Sequence, residues 1–184
     1  MKILMALMGM EIGGAETHVL ELATDLKNKG YDVIVTSNGG VYVKELEDVG
    51  IKHIKLPLHT KKPSAMIKSF FGLKKIIKEE KPDIVHSHAR IPSFILGLLN
   101  KFVRFNFVTS AHWVFNTSGI LKYITTWGSR SVAVSEDIKK YLPDAVYCGT
   151  FEKVAEYIKA NAVSGDMVIT MGAGDIYKVK DLLV

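Results

Sequence analysis

One cysteine, Cys148, stands in 184 residues, so no internal disulfide framework can form. A chain of this length buries roughly 70% of the surface its unfolded form exposes and needs no covalent or metal staple. A lone thiol suits a reducing compartment, and with no basic neighbour or helix start tied to it Cys148 reads as inert. No apolar run approaches the roughly 20 residues that cross a bilayer. Met1-Lys2-Ile3 passes directly into a strand-like stretch and then glycines, unlike a secretion leader, so the expected location is cytoplasmic. Two phosphate-binding signatures are also missing. Gly9, Gly13 and Gly14 do not have G-x-G-x-x-G spacing and no G-x-x-x-x-G-K-[ST] occurs, which argues against nicotinamide dehydrogenases and P-loop enzymes. There is no internal repeat and no low-complexity tract.

Charge of one sign is in modest excess: 24 Lys and Arg against 19 Asp and Glu, a net +5. Much of the positive charge lies at helical spacing between Lys61 and Lys81, interleaved with Ile67, Phe70, Phe71, Leu73, Ile76 and Ile77. This reads as a solvated helix face, or as a contact for an anionic membrane surface or other polyanion. Nucleic acid is not an expected partner.

What is present is a regular alternation. Lys2 to Met8 is a short apolar strand, followed by glycines and a helix with apolar residues at Val19, Leu20, Leu22, Ala23 and Leu26. Lys29-Gly30 closes that helix. Asp32 to Ser37 is a second strand, Val41 to Val49 a helix, and Ile51 to Leu56 a third strand. A basic helix from about Ser64 to Glu80 ends at Pro82 and leads to the strand beginning Ile84-Val85. Pro92 to Lys101, apolar on almost every side, predicts a buried helix. Strands at Asn106 to Ser110 and Ser131 to Val134 flank a helix at Ile120 to Trp127, and Ser135 can cap a helix from Glu136 to Leu142. After Pro143 the texture restarts with a helix at Phe151 to Ala162, a β-rich run at Asp166 to Met171 and a short helix at Ile176 to Leu183. Strands alternating with helices imply a mainly parallel sheet covered on both faces. The expected fold is therefore α/β, a Rossmann-like three-layer sandwich, as a single domain over residues 1–184.

In such a sheet ligands bind where strand C-terminal ends meet the next helix N-termini. Gly13 and Gly14 open the first helix, whose free backbone N–H groups can hold an anion and whose missing Cβ atoms allow close approach; a tight turn alone is the other reading. Glu16, in the first turn, either favours the helix dipole or orients a sugar hydroxyl. His86, His88 and His112 fall at strand ends, where an imidazole can act as a base, relay a proton or donate to a hydroxyl or phosphate. His86 and His88, one residue apart, share a strand face, which would suit a metal, but no third ligand is evident, so neither a metal nor a cofactor is expected. His112, followed by Trp113, reads as a site residue with an aromatic wall, or as a hydrogen-bonded structural histidine.

Five segments in this order carry a family resemblance: Gly13-Gly14-Ala15-Glu16-Thr17-His18, Lys29-Gly30-Tyr31-Asp32-Val33, Lys81-Pro82-Asp83-Ile84-Val85-His86-Ser87-His88, Val108-Thr109-Ser110-Ala111-His112 and Ser131-Val132-Ala133-Val134-Ser135-Glu136. From Met1 to about Leu142 the chain resembles the N-terminal, acceptor-side domain of family 4 glycosyltransferases of the GT-B fold. The resemblance implies that the glycine loop approaches the donor diphosphate and the acceptor, that His112 lines a catalytic cleft, and that Gly13, Gly14, Glu16, His86 and His88 serve substrate binding. It further implies sugar transfer with retained anomeric configuration and no metal, with the nucleotide held mainly by a second Rossmann domain. The I-P-N-G-type linker and that donor-binding domain have no counterpart in this sequence, so a catalytically incomplete lobe is expected.

The remainder, Phe151-Glu152-Lys153-Val154 through Met171-Gly172-Ala173-Gly174-Asp175-Ile176 to Val179, resembles the extreme C-terminus of UDP-N-acetylmuramate:L-alanine ligases, the Mur ligases. The resemblance would put Gly172, Gly174 and Asp175 at a loop near the amino-acid end of that site; the last strand and helix of one sheet is the alternative reading. Together the two resemblances imply a recombined or engineered chain, with a 1–142 transferase-like part, a seam between Leu142 and Cys148, and a 148–184 part completing the sheet. The expected function is an acceptor-side glycosyltransferase domain of the cell envelope that binds a nucleotide-sugar or a sugar acceptor, with a possible homodimer. A non-catalytic scaffold and a Mur-ligase-like fragment of cell-wall precursor synthesis are the competing readings.

Overall fold

A computed structural model describes residues 1–111, 130–133, 148, 150–163, 179 and 181–183. The chain begins β1 (Lys2–Ala6), α1 (Gly14–Asn28), β2 (Asp32–Ser37), α2 (Val43–Asp48) and β3 (Lys52–Lys55). It continues with α3 (Pro63–Glu80), β4 (Ile84–Ser87), α4 (Arg90–Asn100), β5 (Asn106–Ala111), β6 (Arg130–Ala133) and α5 (Phe151–Asn161). The six strands form one sheet in the order β3-β2-β1-β4-β5-β6, and every pairing is parallel. The sequence growing outward from β1 in both directions is the doubly wound arrangement, with its switch point between β1 and β4. The expected α/β sandwich is what the chain adopts.

The two faces carry separate cores. Ile3, Met5, Leu7, Val33 and Val35 pack against Val19, Ala23 and Leu26 of α1 and Leu46 of α2. Leu4, Ala6, Ile34, Val85 and Phe107 pack against Leu73, Ile76 and Ile77 of α3 and Ile91, Ile95, Leu96 and Leu99 of α4. Period-2 strands between two helical layers are apolar on both faces, which is why β1 and β2 read as continuous aliphatic runs.

Helix ends follow local chemistry. Gly30, at φ +84°, turns the chain after α1, and Tyr31 N–H donates to the Leu26 carbonyl at 3.0 Å. Past α3 the left-handed residue is Lys81, at φ +47°, the single non-glycine with positive φ among the described residues. The following Pro82 disfavours the right-handed helical region at Lys81, so the exit lies one residue before the proline. Helix α4 begins at Arg90, two residues earlier than its sequence suggests. Pro92 falls within the first turn, where a missing N–H leaves no helical bond broken. Nor is α4 buried all round: Ile91, Pro92, Ile95, Leu96 and Leu99 are buried, while Leu98 is 40% exposed. Helix α2 and β3 are each shorter than expected, by their end residues. Thr150 caps α5 by accepting from Lys153 N–H at 3.4 Å. The expected elements at Ile120 to Trp127, Glu136 to Leu142 and Asp166 to Met171 lie outside the described residues.

No helix among the described residues is long and apolar enough to cross a membrane.

Candidate functional site

The register of the sheet decides what reaches its C-terminal edge. Val35, Met5, His86 and Val108 form one row across β2, β1, β4 and β5, and parallel neighbours in a row point to the same face. Because Met5 and Val35 belong to the α1 and α2 core, His86 is on that side too. It is buried, and its Nε2 lies 2.7 Å from Ser110 Oγ of β5. The partner at one ring nitrogen of an imidazole decides which tautomer it holds. His88, just past the end of β4, is also buried; its ring centroid is 4.0 Å from that of His86, and its N–H donates to the Ala6 carbonyl at 2.9 Å. From α1, one turn below the glycines, His18 brings a third imidazole to 6.1 Å from His88. Thus the predicted His86 and His88 do meet the glycine-led helix, and His18 is the residue that joins them.

Gly13 is the N-cap of α1, with extended backbone, and its carbonyl accepts from Thr17 N–H at 2.9 Å. A Cβ at Gly13 would run into the carboxylate of Glu16, which folds back over it. Glu16 lies in the first turn of α1, at the positive end of the helix. Gly14 is different: a Cβ there meets nothing within 4 Å, so the face it leaves open is turned outward. The Asn38-Gly39-Gly40 turn is locked to this loop. Met10 N–H donates to Gly39 O at 2.9 Å, Tyr42 N–H to Met10 O at 3.0 Å and Asn38 N–H to Met8 O at 3.1 Å. Gly40, at φ +149°, leaves no room for a Cβ against the Met10 backbone. Two glycine loops therefore form one rigid rim beside the imidazoles.

Among the described residues no group of three or more His, Cys, Asp or Glu side chains is placed to hold a metal ion. His112, Gly172, Gly174 and Asp175 lie outside the described residues. His18, on α1, is the member of this cluster that strand-end positions do not mark, while Ser110, within the strand-end segment Ser110-Ala111-His112, joins it through His86. The sequence puts His18 one helical turn after Gly14, and its packing against His88 shows which face of α1 it occupies.

The profile of Glycosyltransferase Family 4 matches residues 12–147, most of the chain. The chain belongs to this family. A UDP-N-acetylglucosamine--N-acetylmuramyl-(pentapeptide) pyrophosphoryl-undecaprenol N-acetylglucosamine transferase of Clostridium botulinum (strain Langeland) is 31% identical over 175 residues, covering 83% of this chain and 47% of that protein. A glycosyltransferase structure from Rickettsia africae superposes with a TM-score of 0.62 at 29% identity, over 78% of this chain and 39% of that one. At 17% identity, Anabaena HepE in complex with UDP shares the fold with a TM-score of 0.60, over 78% of this chain and 40% of that one. The family 4 chain thus has the architecture of one half of a GT-B glycosyltransferase and spans about half, or less, of the length of these relatives. A short stretch is also similar to a UDP-N-acetylmuramate--L-alanine ligase of Acetivibrio thermocellus, 47% identical over 51 residues, 28% of this chain and 11% of that protein.

Proposed function

We propose that this family 4 chain supplies the acceptor-side lobe of a nucleotide-sugar-dependent glycosyltransferase, and that transfer requires a donor-binding lobe facing the edge formed by the glycine rim and the imidazoles. The observation that carries this reading is the meeting of the α1 N-terminus with His18, His86 and His88 at the C-terminal edge of β1 and β4, the switch point of the sheet. Backbone N–H groups at a helix start suit a phosphate. Imidazoles suit hydroxyls and phosphate oxygens. Gly13 and Gly14 would approach the diphosphate, and His86 and His88 would position the acceptor; His112, the residue after β5, is the proposed catalytic-cleft histidine. The Anabaena relative binds UDP, which favours a uridine or related nucleotide-sugar here.

Charge that builds on a departing diphosphate needs preorganised donors from both sides of a cleft, so one lobe alone should bind ligand without turning it over. The expected result is a rise in melting temperature with UDP or a UDP-sugar, because only preferential binding to the native state stabilises it. Hydrolysis and transfer of UDP- and GDP-sugars should stay at background. Rapid turnover by this chain alone would refute the requirement for a second lobe, and a melting temperature indifferent to nucleotide and phosphate would favour a ligand-free scaffold. The short similarity to L-alanine ligases favours reading the chain as composite, with Gly172, Gly174 and Asp175 of the 148–184 part as the proposed tail-loop residues; that part contains no ATP-binding P-loop.

A further inference from the structure

The row that carries His86 ends, at the β3 edge of the sheet, in another imidazole. His53 is the register partner of Val35, so its side chain points to the α1 and α2 side, as that of His86 does. Its Nε2 lies 2.8 Å from Ser37 Oγ at the end of β2. Ser37 is buried, and its Oγ accepts from Gly39 N–H at 3.0 Å. The contacts then continue into the rim, because Gly39 O accepts from Met10 N–H and Gly40 is pressed against the Met10 backbone. Neither His53 nor Ser37 belongs to the imidazole cluster.

Proton counting fixes the direction of the Ser37–His53 bond. A serine hydroxyl has one proton to give and two lone pairs to accept with. One lone pair is turned to Gly39 N–H, and His53 is the other partner among the described residues, so the buried hydroxyl proton is satisfied by donating to Nε2. Neutral His53 therefore carries its own proton on Nδ1. Protonating the ring turns Nε2 into a donor. The hydroxyl must then accept from both Gly39 and His53, and its proton is left buried without an acceptor. Of the three partners the Gly39 turn is the one outside the sheet, so it is the one that shifts. The surroundings of the ring favour its neutral form: burial lowers the pKa, with Glu47 of α2 raising it and Lys55, two residues along β3, lowering it. From β2 it meets Val35 and Ser37, which carry no charge.

We propose that His53 is a positioning residue for the glycine rim: in its neutral form it holds Ser37 on the Gly39 turn, and its protonation loosens that turn from the Met10 loop and weakens the seat of a diphosphate at the start of α1. The effect on a diphosphate rests on the acceptor-lobe reading; the coupling of His53 to the rim does not.

The test is NMR of the full chain, first without ligand, from about pH 7.5 to about pH 5. Ring ¹⁵N shifts should show neutral His53 with its proton on Nδ1, and the Gly39, Gly40 and Met10 amides should move with the His53 midpoint. His18, His86 and His88 answer to pH at the same edge, so two variants isolate the part due to His53. In His53→Gln, whose amide oxygen can accept from Ser37 but does not titrate, that part should vanish while the amides keep their neutral-pH positions. In Ser37→Ala the imidazole should still titrate and the rim amides should no longer follow it; if that variant fails to fold, His53→Gln, which keeps the buried bond, decides alone. With UDP-glucose, whose diphosphate has no titrating group in this range, the parent should lose about fivefold more affinity than His53→Gln over the same span. The proposal is overturned if neutral His53 carries its proton on Nε2, if the rim amides pass through its midpoint unmoved, or if they respond in His53→Gln as in the parent. Equal losses of affinity in parent and His53→Gln overturn it as well. UDP-glucose that binds at neither pH contradicts the acceptor-lobe reading instead, and the ligand-free titration still decides the coupling.

Discussion

Gly40 and Gly14 are chemically identical and structurally opposite. Gly40 combines a positive φ with direct contact against the Met10 backbone, so Gly40→Ala should cost about 2–4 kcal/mol in denaturant unfolding, through strain and overpacking together. Gly14→Ala, which meets nothing, should leave stability within about 1 kcal/mol yet abolish the nucleotide-induced rise in melting temperature, because the new methyl group occupies the approach path of a phosphate. A Gly14→Ala variant that keeps the full nucleotide shift would remove Gly14 from the site. His53, on β3, has its pKa pushed below the ordinary value mainly by burial, with Glu47 raising it and Lys55 lowering it. The folded chain therefore holds fewer protons there than the unfolded chain, and the associated stability is complete above the unfolded value and declines as pH falls through the depressed one. His53→Gln should flatten the fall in stability between about pH 7 and pH 5, measured by urea titration at each pH. The strand-end histidines were legible in the sequence because apolar strands that turn polar mark a sheet edge. His18 was not, since only packing shows which face of α1 it occupies, and the same is true of the Glu16 carboxylate lying on Gly13.

Single carboxylates tie the elements together. Glu80, at the end of α3, accepts from Lys2 of β1 at 3.0 Å and from Lys52 of β3, linking three elements at the strand N-terminal edge, opposite the candidate site. The Lys52 bond, with Lys2 second, holds the Glu80 carboxyl below its ordinary range. Its contribution is present above the unfolded carboxylate value and lost as pH falls through the depressed one. Glu80→Gln should thus lower the melting temperature at neutral pH, and the difference from the parent should close as the solution is acidified below about pH 4; a gap that persists there would show that the loss is not one of charge. The helices and strands themselves were largely readable, since a glycine-terminated helix between valine-rich runs has few alternatives. Helix α4 was the exception in character. Six large apolar residues in eleven suggested complete burial, but a helix covering one face of a sheet has only that face and its neighbour α3 to pack against, and Leu98 is left at the rim.

At the scale of the whole molecule, alternation of strands and helices implied a parallel sheet covered on both faces, while the strand order β3-β2-β1-β4-β5-β6 came from the structure. The sequence placed candidate residues at the strand C-terminal ends, and the pairing of β1 with β4 is what puts the switch point beside them. The chain spans about half, or less, of the length of its relatives, and the proposed chemistry calls for a facing surface. Family membership rests on residues 12–147, and the shared half-fold explains how a lobe can present one wall of a cleft. The most direct measurement is a ¹⁵N-resolved NMR titration of the chain with a UDP-sugar, read amide by amide. The account predicts that the perturbed amides cluster at Gly13, Gly14, Ala15 and His88, with the strand N-terminal edge around Lys2 and Glu80 unmoved. Shifts confined to that opposite edge, or none at saturating ligand, would contradict it.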